Sequence, residues 1–178
     1  MSELALRKQY ERYGAEQYYR QFGPEYRNPH ERAVRHAIHA AVAAGSLNLT
    51  RVLDLACGSG EATLALGELG ATAIDGVDPY TGAAYRARTG QTAEALSFEA
   101  IAAGALDGRQ YSLVVCSYAL HLLAPSRLPR LAFQLSLVAS TLLVLTPHKR
   151  PDLRPEWGWS QLGEMVVERV RARWYQAT

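Results

Sequence analysis

Three apolar stretches constrain the fold of this chain more than any other feature of its sequence. They read RVLDLAC at 51–57, YSLVVCS at 111–117 and STLLVLTP at 140–147. Each run has the length of a strand, and segments with helical periodicity separate the runs. Continuous apolar runs between helices are typical of parallel strands that are buried on both faces. The sequence therefore predicts an α/β fold with a mostly parallel sheet between two layers of helices.

The segments around these runs complete the predicted element order. ERAVRHAIHAAVAAG at 31–45 has one apolar face and predicts a helix, and TAIDGVD at 72–78 predicts a strand. A weaker strand is expected near ALSFEA at 95–100, and the helix in 125–139 is expected to be interrupted by Pro129. WSQLGEMVVE at 159–168 fits either a helix or a strand. ERVRARWYQ at 168–176 alternates and predicts a final antiparallel strand near a sheet edge.

Length and charge narrow the classes of protein that remain. The chain has 178 residues, which suits one domain, and we divide it into an N-terminal helical cap (1–49), a core (50–147) and a short C-terminal segment (148–178). The net charge of +2 is too small to indicate nucleic-acid binding. Arg169, Arg171 and Arg173 are interpreted as the solvated face of a strand.

Cysteine content and hydropathy indicate the compartment. Cys57 and Cys116 are too few for a disulfide framework or a zinc site, so small buried packing is their expected role. The N-terminus has no apolar signal region, and no apolar run is long enough to cross a bilayer. We therefore expect a cytoplasmic protein without a membrane association.

The first predicted strand runs directly into a glycine turn, VLDLACGSG at 52–60. In an open parallel sheet, ligands bind beyond the carboxyl ends of the strands, where strand order reverses. Gly58 and Gly60 let the chain turn sharply and let a ligand approach the backbone. The following helix begins with unpaired N–H groups that attract a carboxylate. This turn is the predicted ligand site.

Two residues separate this turn from a dinucleotide fingerprint. Thr63 occupies the third position of G-x-G-x-x-G, where a small residue is expected, and Asp54 precedes the first glycine by four residues. A carboxylate there offers no advantage to a pyrophosphate, but it would favour a ligand with an ammonium and a sulfonium. An NAD-dependent oxidoreductase is therefore disfavoured.

With these residues the sequence resembles the class I S-adenosylmethionine-dependent methyltransferases, which have a Rossmann-like, doubly wound three-layer sandwich fold. The resemblance covers residues 50 to about 147 and implies that Asp54 orients the methionine end of the cofactor. It also implies that Cys57, Gly58 and Gly60 line the cofactor with main chain. Asp78 and Pro79 follow the second strand, where the family has an acid that accepts both ribose hydroxyls.

Two later segments extend the resemblance. The family has an aspartate and an apolar residue beside the adenine, and the matching place holds Ser97 or Glu99 with Phe98, which departs from the pattern. YSLVVCSYALHLL at 111–123 resembles the family's fourth signal, whose strand ends beside the methionine moiety. Ser117 and Tyr118 are therefore expected to face cofactor and substrate.

The catalytic residues stay open at this point, with His121, His148 and Tyr18 as candidates. His30, His121 and His148 have no metal-ligand spacing, and no metal is expected. In this family the segment before the first strand commonly folds over the cofactor. The N-terminal tyrosines either shape a substrate pocket or pack on the domain edge; they are Tyr10, Tyr13, Tyr18, Tyr19 and Tyr26.

The resemblance implies transfer of a methyl group from S-adenosylmethionine to an O, N or S nucleophile, with S-adenosylhomocysteine as product. A small-molecule acceptor is favoured over RNA or protein, and a partner subunit or homodimer would complete an open site. Trp157 and Trp159 would stack on a flat acceptor or serve packing. The alternative is a catalytically silent, cofactor-binding subunit that supports a partner methyltransferase.

Overall fold

A computed structural model describes residues 15–178 of the chain. Six strands form one sheet in the order β2-β1-β3-β4-β6-β5. The strands are β1 Val52–Leu55, β2 Ile74–Val77, β3 Leu113–Ser117, β4 Thr141–Thr146, β5 Trp159–Val167 and β6 Val170–Ala177. The first four pair in parallel, and β6 runs antiparallel to both β4 and β5. The predicted mostly parallel sheet with a C-terminal antiparallel strand is confirmed.

Helices cover both faces of the sheet, as the continuous apolar strand runs predict. The α-helices of residues 15–178 are α1 Ala15–Phe22, α2 Glu31–Gly45, α3 Glu61–Glu68, α4 Gly82–Thr89, α5 Phe98–Ala102 and α6 Leu128–Val138. Successive strand residues point to opposite faces. Leu53 and Val114 pack in the cluster that includes α6, whereas Val52 and Leu113 pack in the cluster that includes α2 and α3. The result is the three-layer α/β sandwich.

The segment around 95–100 is not a strand, which corrects the prediction of a strand there. Only a single parallel bridge joins Val77 to Glu94. The chain then enters α5, and the Ser97 hydroxyl accepts a hydrogen bond from the Ala100 N–H at 3.2 Å. A serine before a short helix is an N-cap signal, and this local capping overrides the weak strand propensity.

Pro129 does not interrupt a helix. It lies in the first turn of α6, which begins at Leu128. A first-turn proline has no intrahelical hydrogen bond to lose, and its fixed φ suits the helix. The proline therefore marks where the helix starts.

The C-terminal hairpin extends the sheet beyond β4. The segment that fitted a helix or a strand is the edge strand β5, so β6 is internal. The interpretation of Arg173 as solvated is wrong, because its side chain is buried. Its guanidinium pairs with Glu164 and donates to the carbonyls of Lys149 and Pro151. Arg173 thereby holds the loop after β4 against the hairpin.

Candidate cofactor and acceptor site

A cavity of about 690 Å³ opens at the carboxyl ends of β1, β2 and β3. Strand β1 lies between β2 and β3, so the chain leaves β1 in one direction and returns on its other side. Such a reversal separates the connecting loops and creates a crevice where ligands bind. The volume falls within the range of about 300–1,000 Å³ that is common for small-molecule sites.

The turn after β1 forms the floor of this cavity. Ala56 and Gly58 both line it and both have left-handed backbone, with φ of 56°. A Cβ on Gly58 would lie 3.2 Å from the Tyr26 ring and 3.3 Å from Glu61 Oε2. The absence of a side chain at Gly58 therefore keeps the floor open. The strained alanine is the kind of outlier that clusters at ligand sites.

Gly60 has a different role from the one that the resemblance implies. It does not line the cavity. It precedes the first residue of α3 with φ of 87°, and a Cβ there would collide with the Thr89 side chain. Gly60 thus allows α3 to pack closely against α4.

Asp54 is almost completely buried at the end of β1 and has one oxygen without a partner. Its Oδ2 accepts hydrogen bonds from the backbone N–H and the hydroxyl of Thr63, at 3.0 and 2.6 Å. Within residues 15–178, its buried Oδ1 has no hydrogen-bond partner. Burial raises the pKa of Asp54 to about 7, nearby Glu61 and Asp78 add to the rise, and the Thr63 bonds oppose it. An unpaired buried carboxylate oxygen is costly unless a ligand satisfies it.

Ser117 supplies a second unpaired polar atom at the end of β3. It lines the same cavity, and its buried hydroxyl has no hydrogen-bond partner in the described part of the chain. The next residue, Tyr118, also lines the cavity and has a left-handed φ of 55°. Two residues of neighbouring strands that line one cavity thus each carry a buried oxygen without a hydrogen-bond partner in residues 15–178. This arrangement fits a ligand that brings its own hydrogen-bond donors.

Asp78 lies beyond β2 and faces the turn from the other side. Its Oδ1 accepts from the N–H groups of Tyr80 and Thr81 at 2.8 and 3.0 Å, and its Oδ2 accepts from the Gly58 N–H at 3.3 Å. The backbone bonds orient the carboxylate, which lines the cavity together with Pro79. Asp78 therefore makes the Asx-turn bonds that one sequence alternative expected, and it also lines the cavity.

A buried ion pair beneath the turn was missed by sequence reasoning. Glu61 is 6% exposed and accepts from Arg88 at 3.1 Å, from the Ser59 hydroxyl and from the Asn28 N–H at 3.2 Å. Arg88 also pairs with Glu31. This network joins α2, α3 and α4 and fixes the segment before α2 over the glycine turn. Its members are far apart in sequence, so no local pattern reveals it.

The segment before α2 closes one wall of the cavity. Tyr19, Tyr26 and Asn28 line it, and the rings of Tyr19 and Tyr26 lie edge to face with centroids 5.1 Å apart. Tyr10 and Tyr13 lie outside the described residues. Of the two alternatives for the N-terminal tyrosines, the pocket-shaping role applies to Tyr19 and Tyr26.

The structure does not place the three catalytic candidates in the cavity wall. Tyr18 is buried against Tyr19 and Phe22. His121 and His148 pack together with ring centroids 5.0 Å apart, behind Tyr118. Burial, with His148 nearby, lowers the pKa of His121 to about 4, so its ring is neutral at physiological pH.

Other predicted site residues fall into two groups. Eight of the nine predicted cofactor residues line the cavity, Gly60 being the exception: Asp54, Cys57, Gly58, Asp78, Pro79, Ser97, Phe98 and Ser117. Burial raises the pKa of both cysteine thiols, that of Cys116 to about 12, so neither is a ready nucleophile. Trp159 is fully buried and donates to the Ala132 carbonyl at 2.7 Å, so it packs and does not stack on an acceptor.

Metal ligation has no support in the geometry. Over residues 15–178, no three His, Cys, Asp or Glu side chains are grouped as a metal site would require. The same residues include no helix long and apolar enough to span a membrane.

The fold and the site together define a Rossmann-like protein with a ligand cavity at the carboxyl ends of its parallel strands. A family model described as a methyltransferase domain matches residues 52–139. The uncharacterized protein C17A5.05c of Schizosaccharomyces pombe is 34% identical to the chain, over 92% of this chain and 89% of that protein.

Solved structures show the same fold. Magnesium protoporphyrin IX methyltransferase from Synechocystis PCC 6803, with bound S-adenosylmethionine, has a TM-score of 0.66 at 16% identity and covers 100% of this chain and 98% of that one. The PH0226 protein of Pyrococcus horikoshii OT3 also has a TM-score of 0.66, at 11% identity over 96% and 99% of the two chains.

The chain belongs to the class I S-adenosylmethionine-dependent methyltransferases, as its glycine turn and two acids predicted. It is an enzyme of that family, and S-adenosylmethionine is its cofactor. The unpaired oxygens of Asp54 and Ser117 fit this cofactor, because its methionine end carries an ammonium donor.

Proposed function

We propose that this chain transfers a methyl group from S-adenosylmethionine to an O, N or S nucleophile of a small molecule by in-line displacement. The observation that carries the proposal is the unpaired Oδ1 of the buried Asp54, which faces a cavity with Ser117 and Asp78. When bound, the cofactor supplies an electrophilic methyl group on a sulfonium.

Under this proposal each wall of the cavity holds one part of the cofactor. Asp54 and the Gly58 main chain would bind the methionine end, and Asp78 would accept hydrogen bonds from the ribose hydroxyls. Ser97 and Phe98 would lie beside the adenine. These assignments are supported by the position of all five residues around one cavity.

Charge in the cavity also favours a cationic ligand. Asp54, Glu61 and Asp78 surround the glycine turn. Arg88 compensates Glu61, whereas the partners of Asp54 and Asp78 in residues 15–178 are hydroxyl and backbone donors. The two remaining carboxylates would attract the ammonium and sulfonium and would repel a phosphate.

The residues that line the cavity indicate which acceptors can react without a general base from the protein. No histidine of the described chain lines the cavity, and the Cys57 thiol is held protonated. We infer that the acceptor enters with a lone pair available, as an amine, a thiolate or an acidic hydroxyl. Alignment and water exclusion then supply the rate enhancement, which is worth about 7–11 kcal/mol in favourable cases.

A cavity of about 690 Å³ has the size of a small-molecule site, which favours a small acceptor over RNA or protein. A partner subunit or a second copy of the chain would complete the open acceptor side of the cavity.

Titration calorimetry with S-adenosylhomocysteine tests cofactor binding. We expect Asp54→Ala to weaken binding strongly, whereas Asp75→Ala leaves it unchanged, because Asp75 faces Tyr111 and Arg51 away from the cavity. Absence of binding by the purified protein would overturn the proposal. The protein is then incubated with S-adenosylmethionine and candidate amine, thiol and phenol acceptors. If it binds S-adenosylhomocysteine but forms none of it in these incubations, the silent-subunit alternative is favoured.

A further inference from the structure

A second cavity of about 380 Å³ joins the main one. Phe98, Glu99, Leu123 and Arg127 line both, so the two spaces share one wall between α5 and the start of α6. Arg130 belongs to the second cavity alone. Of the nine predicted cofactor residues, only Phe98 also lines this side space.

The charged groups of the second cavity are two arginines and one glutamate. Arg127 Nη1 donates to Glu99 Oε1 at 2.5 Å, and Arg130 Nε donates to the Ala102 carbonyl at 2.9 Å. These are the only hydrogen bonds of the two guanidiniums within residues 15–178, so the terminal nitrogens of Arg130 and two nitrogens of Arg127 have donors to offer. The cavity carries a net charge of +1 with two guanidinium groups.

The pairing of Arg127 with Glu99 leaves Arg127 available to a ligand. Their side chains are 62% and 57% exposed, and such surface pairs are weak. A guanidinium binds an oxyanion with two parallel hydrogen bonds. An anionic ligand group can therefore add to this pair or replace Glu99.

The residues between the end of β3 and Arg127 include apolar side chains that line the main cavity. Tyr118, Leu122 and Leu123 line the main cavity between Ser117 and Arg127. Leu122 is 39% exposed and presents apolar surface at the wall of the main cavity. The two adjoining cavities thus contain carboxylates at the glycine turn, apolar side chains after β3, and the arginines Arg127 and Arg130.

We propose that the second cavity anchors an anionic group of the methyl acceptor through Arg127 and Arg130. This proposal rests on the proposed function and names the acceptor class: a small amphipathic molecule with an apolar or aromatic body and a carboxylate, sulfonate or phosphate at one end. The carboxylates at the glycine turn would attract the cationic cofactor, and the two arginines would attract the anionic group of the acceptor.

Two fluorescent probes with the same aromatic body test this assignment without a known substrate. Anilinonaphthalene sulfonate carries the anionic group, and phenylnaphthylamine lacks it. Each is titrated into the protein saturated with S-adenosylhomocysteine, whose own binding is measured first by calorimetry. We expect the sulfonate to bind about tenfold or more tightly than the neutral probe, as one charge-assisted contact provides.

Variants then locate the contact. Arg127→Gln and Arg130→Gln are each expected to weaken sulfonate binding about tenfold. The affinity for phenylnaphthylamine should stay unchanged in both variants, and that for S-adenosylhomocysteine should stay unchanged in Arg130→Gln, because Arg130 does not line the main cavity. Arg127→Lys keeps the charge but loses the two parallel donors of the guanidinium, so an intermediate loss of sulfonate affinity is expected. Arg86→Gln, an exposed arginine of α4 outside both cavities, is the matched control.

The outcomes separate the two proposals. Equal binding of the probes, or equal loss in Arg86→Gln and Arg127→Gln, overturns the anionic anchor while S-adenosylhomocysteine binding stands. Sulfonate binding that ignores all three arginines places the dye elsewhere and likewise overturns it. Failure of S-adenosylhomocysteine to bind the wild-type protein refutes the proposed function itself.

Discussion

Thr63 donates two hydrogen bonds to Asp54, and both reach the same carboxylate oxygen. The other oxygen stays buried and unpaired within the described residues. Thr63 also contacts the Tyr85 hydroxyl at 3.0 Å, so the position that a dinucleotide fingerprint gives to a small residue here orients an acid. Thr63 thereby orients Asp54 through Oδ2 and leaves Oδ1 for a ligand.

Binding of S-adenosylhomocysteine should depend on pH through Asp54. Its pKa of about 7, raised chiefly by burial, means that part of the population is protonated at neutral pH. The ligand ammonium favours the ionised form, so affinity should fall about tenfold per pH unit below about 7. Calorimetry across this range checks the slope. Asp54→Asn should bind weakly with no such dependence, and a flat wild-type profile would contradict the assignment.

Stability of the ligand-free protein should change in the opposite sense. Between the unfolded pKa of about 3.9 and the folded pKa of about 7, the folded state holds a proton that the unfolded state releases. The free energy of unfolding should therefore fall as pH rises through this window, by on the order of 4 kcal/mol at most. Urea denaturation measures it, and an unchanged slope in Asp54→Asn would show that other groups are responsible.

Removal of the Thr63 hydroxyl should destabilise the turn. Thr63→Val keeps the shape but loses the bonds to Asp54 Oδ2 and to the Tyr85 hydroxyl. We expect a loss of about 1–3 kcal/mol in the free energy of unfolding, as for other buried groups left unsatisfied. Thr63→Ser retains the hydroxyl and serves as control. Identical urea midpoints for the two variants would rule out this role of the hydroxyl.

The Glu61–Arg88 pair should be sensitive to loss of either partner. Its side chains are 5% and 14% exposed, and Arg88→Met leaves a buried carboxylate without its cation. The expected cost is about 3–5 kcal/mol, and the double variant with Glu61→Gln should recover part of it. Arg35→Met, which breaks an exposed pair with Glu68, should cost about 1 kcal/mol or less. A double-mutant cycle without coupling would contradict the prediction.

The glycines of the turn should separate binding from folding. Gly60→Ala adds a collision with Thr89 to an unfavourable φ, whereas Gly70→Ala has a similar φ of 92° and open space. Gly60→Ala should therefore lower the thermal midpoint more than Gly70→Ala does. Gly58→Ala places its Cβ at the cavity floor and should weaken S-adenosylhomocysteine binding more than it lowers stability. Equal stability losses at Gly60 and Gly70 would remove the packing argument.

The sequence determined the central parallel strands and the placement of the glycine turn and its two acids at one edge of the sheet. The apolar runs of β1, β3 and β4 need burial on both faces, which only a covered parallel sheet provides. The spacing of Asp54, Gly58 and Asp78 lies within one strand–helix–strand unit, so local rules place them at one sheet edge. These features depend on neighbours in sequence.

Long-range packing decided the rest. Whether β5 or β6 lies at the edge depends on pairing between distant segments, and the burial of Arg173 follows from that choice. The phase of α1 turns Tyr19 to the cavity and Tyr18 to the core. The contacts of Gly60 with α4 and the union of two cavities at Arg127 join residues far apart in the chain. A sequence pattern reports local periodicity, whereas such contacts exist only after the layers have packed.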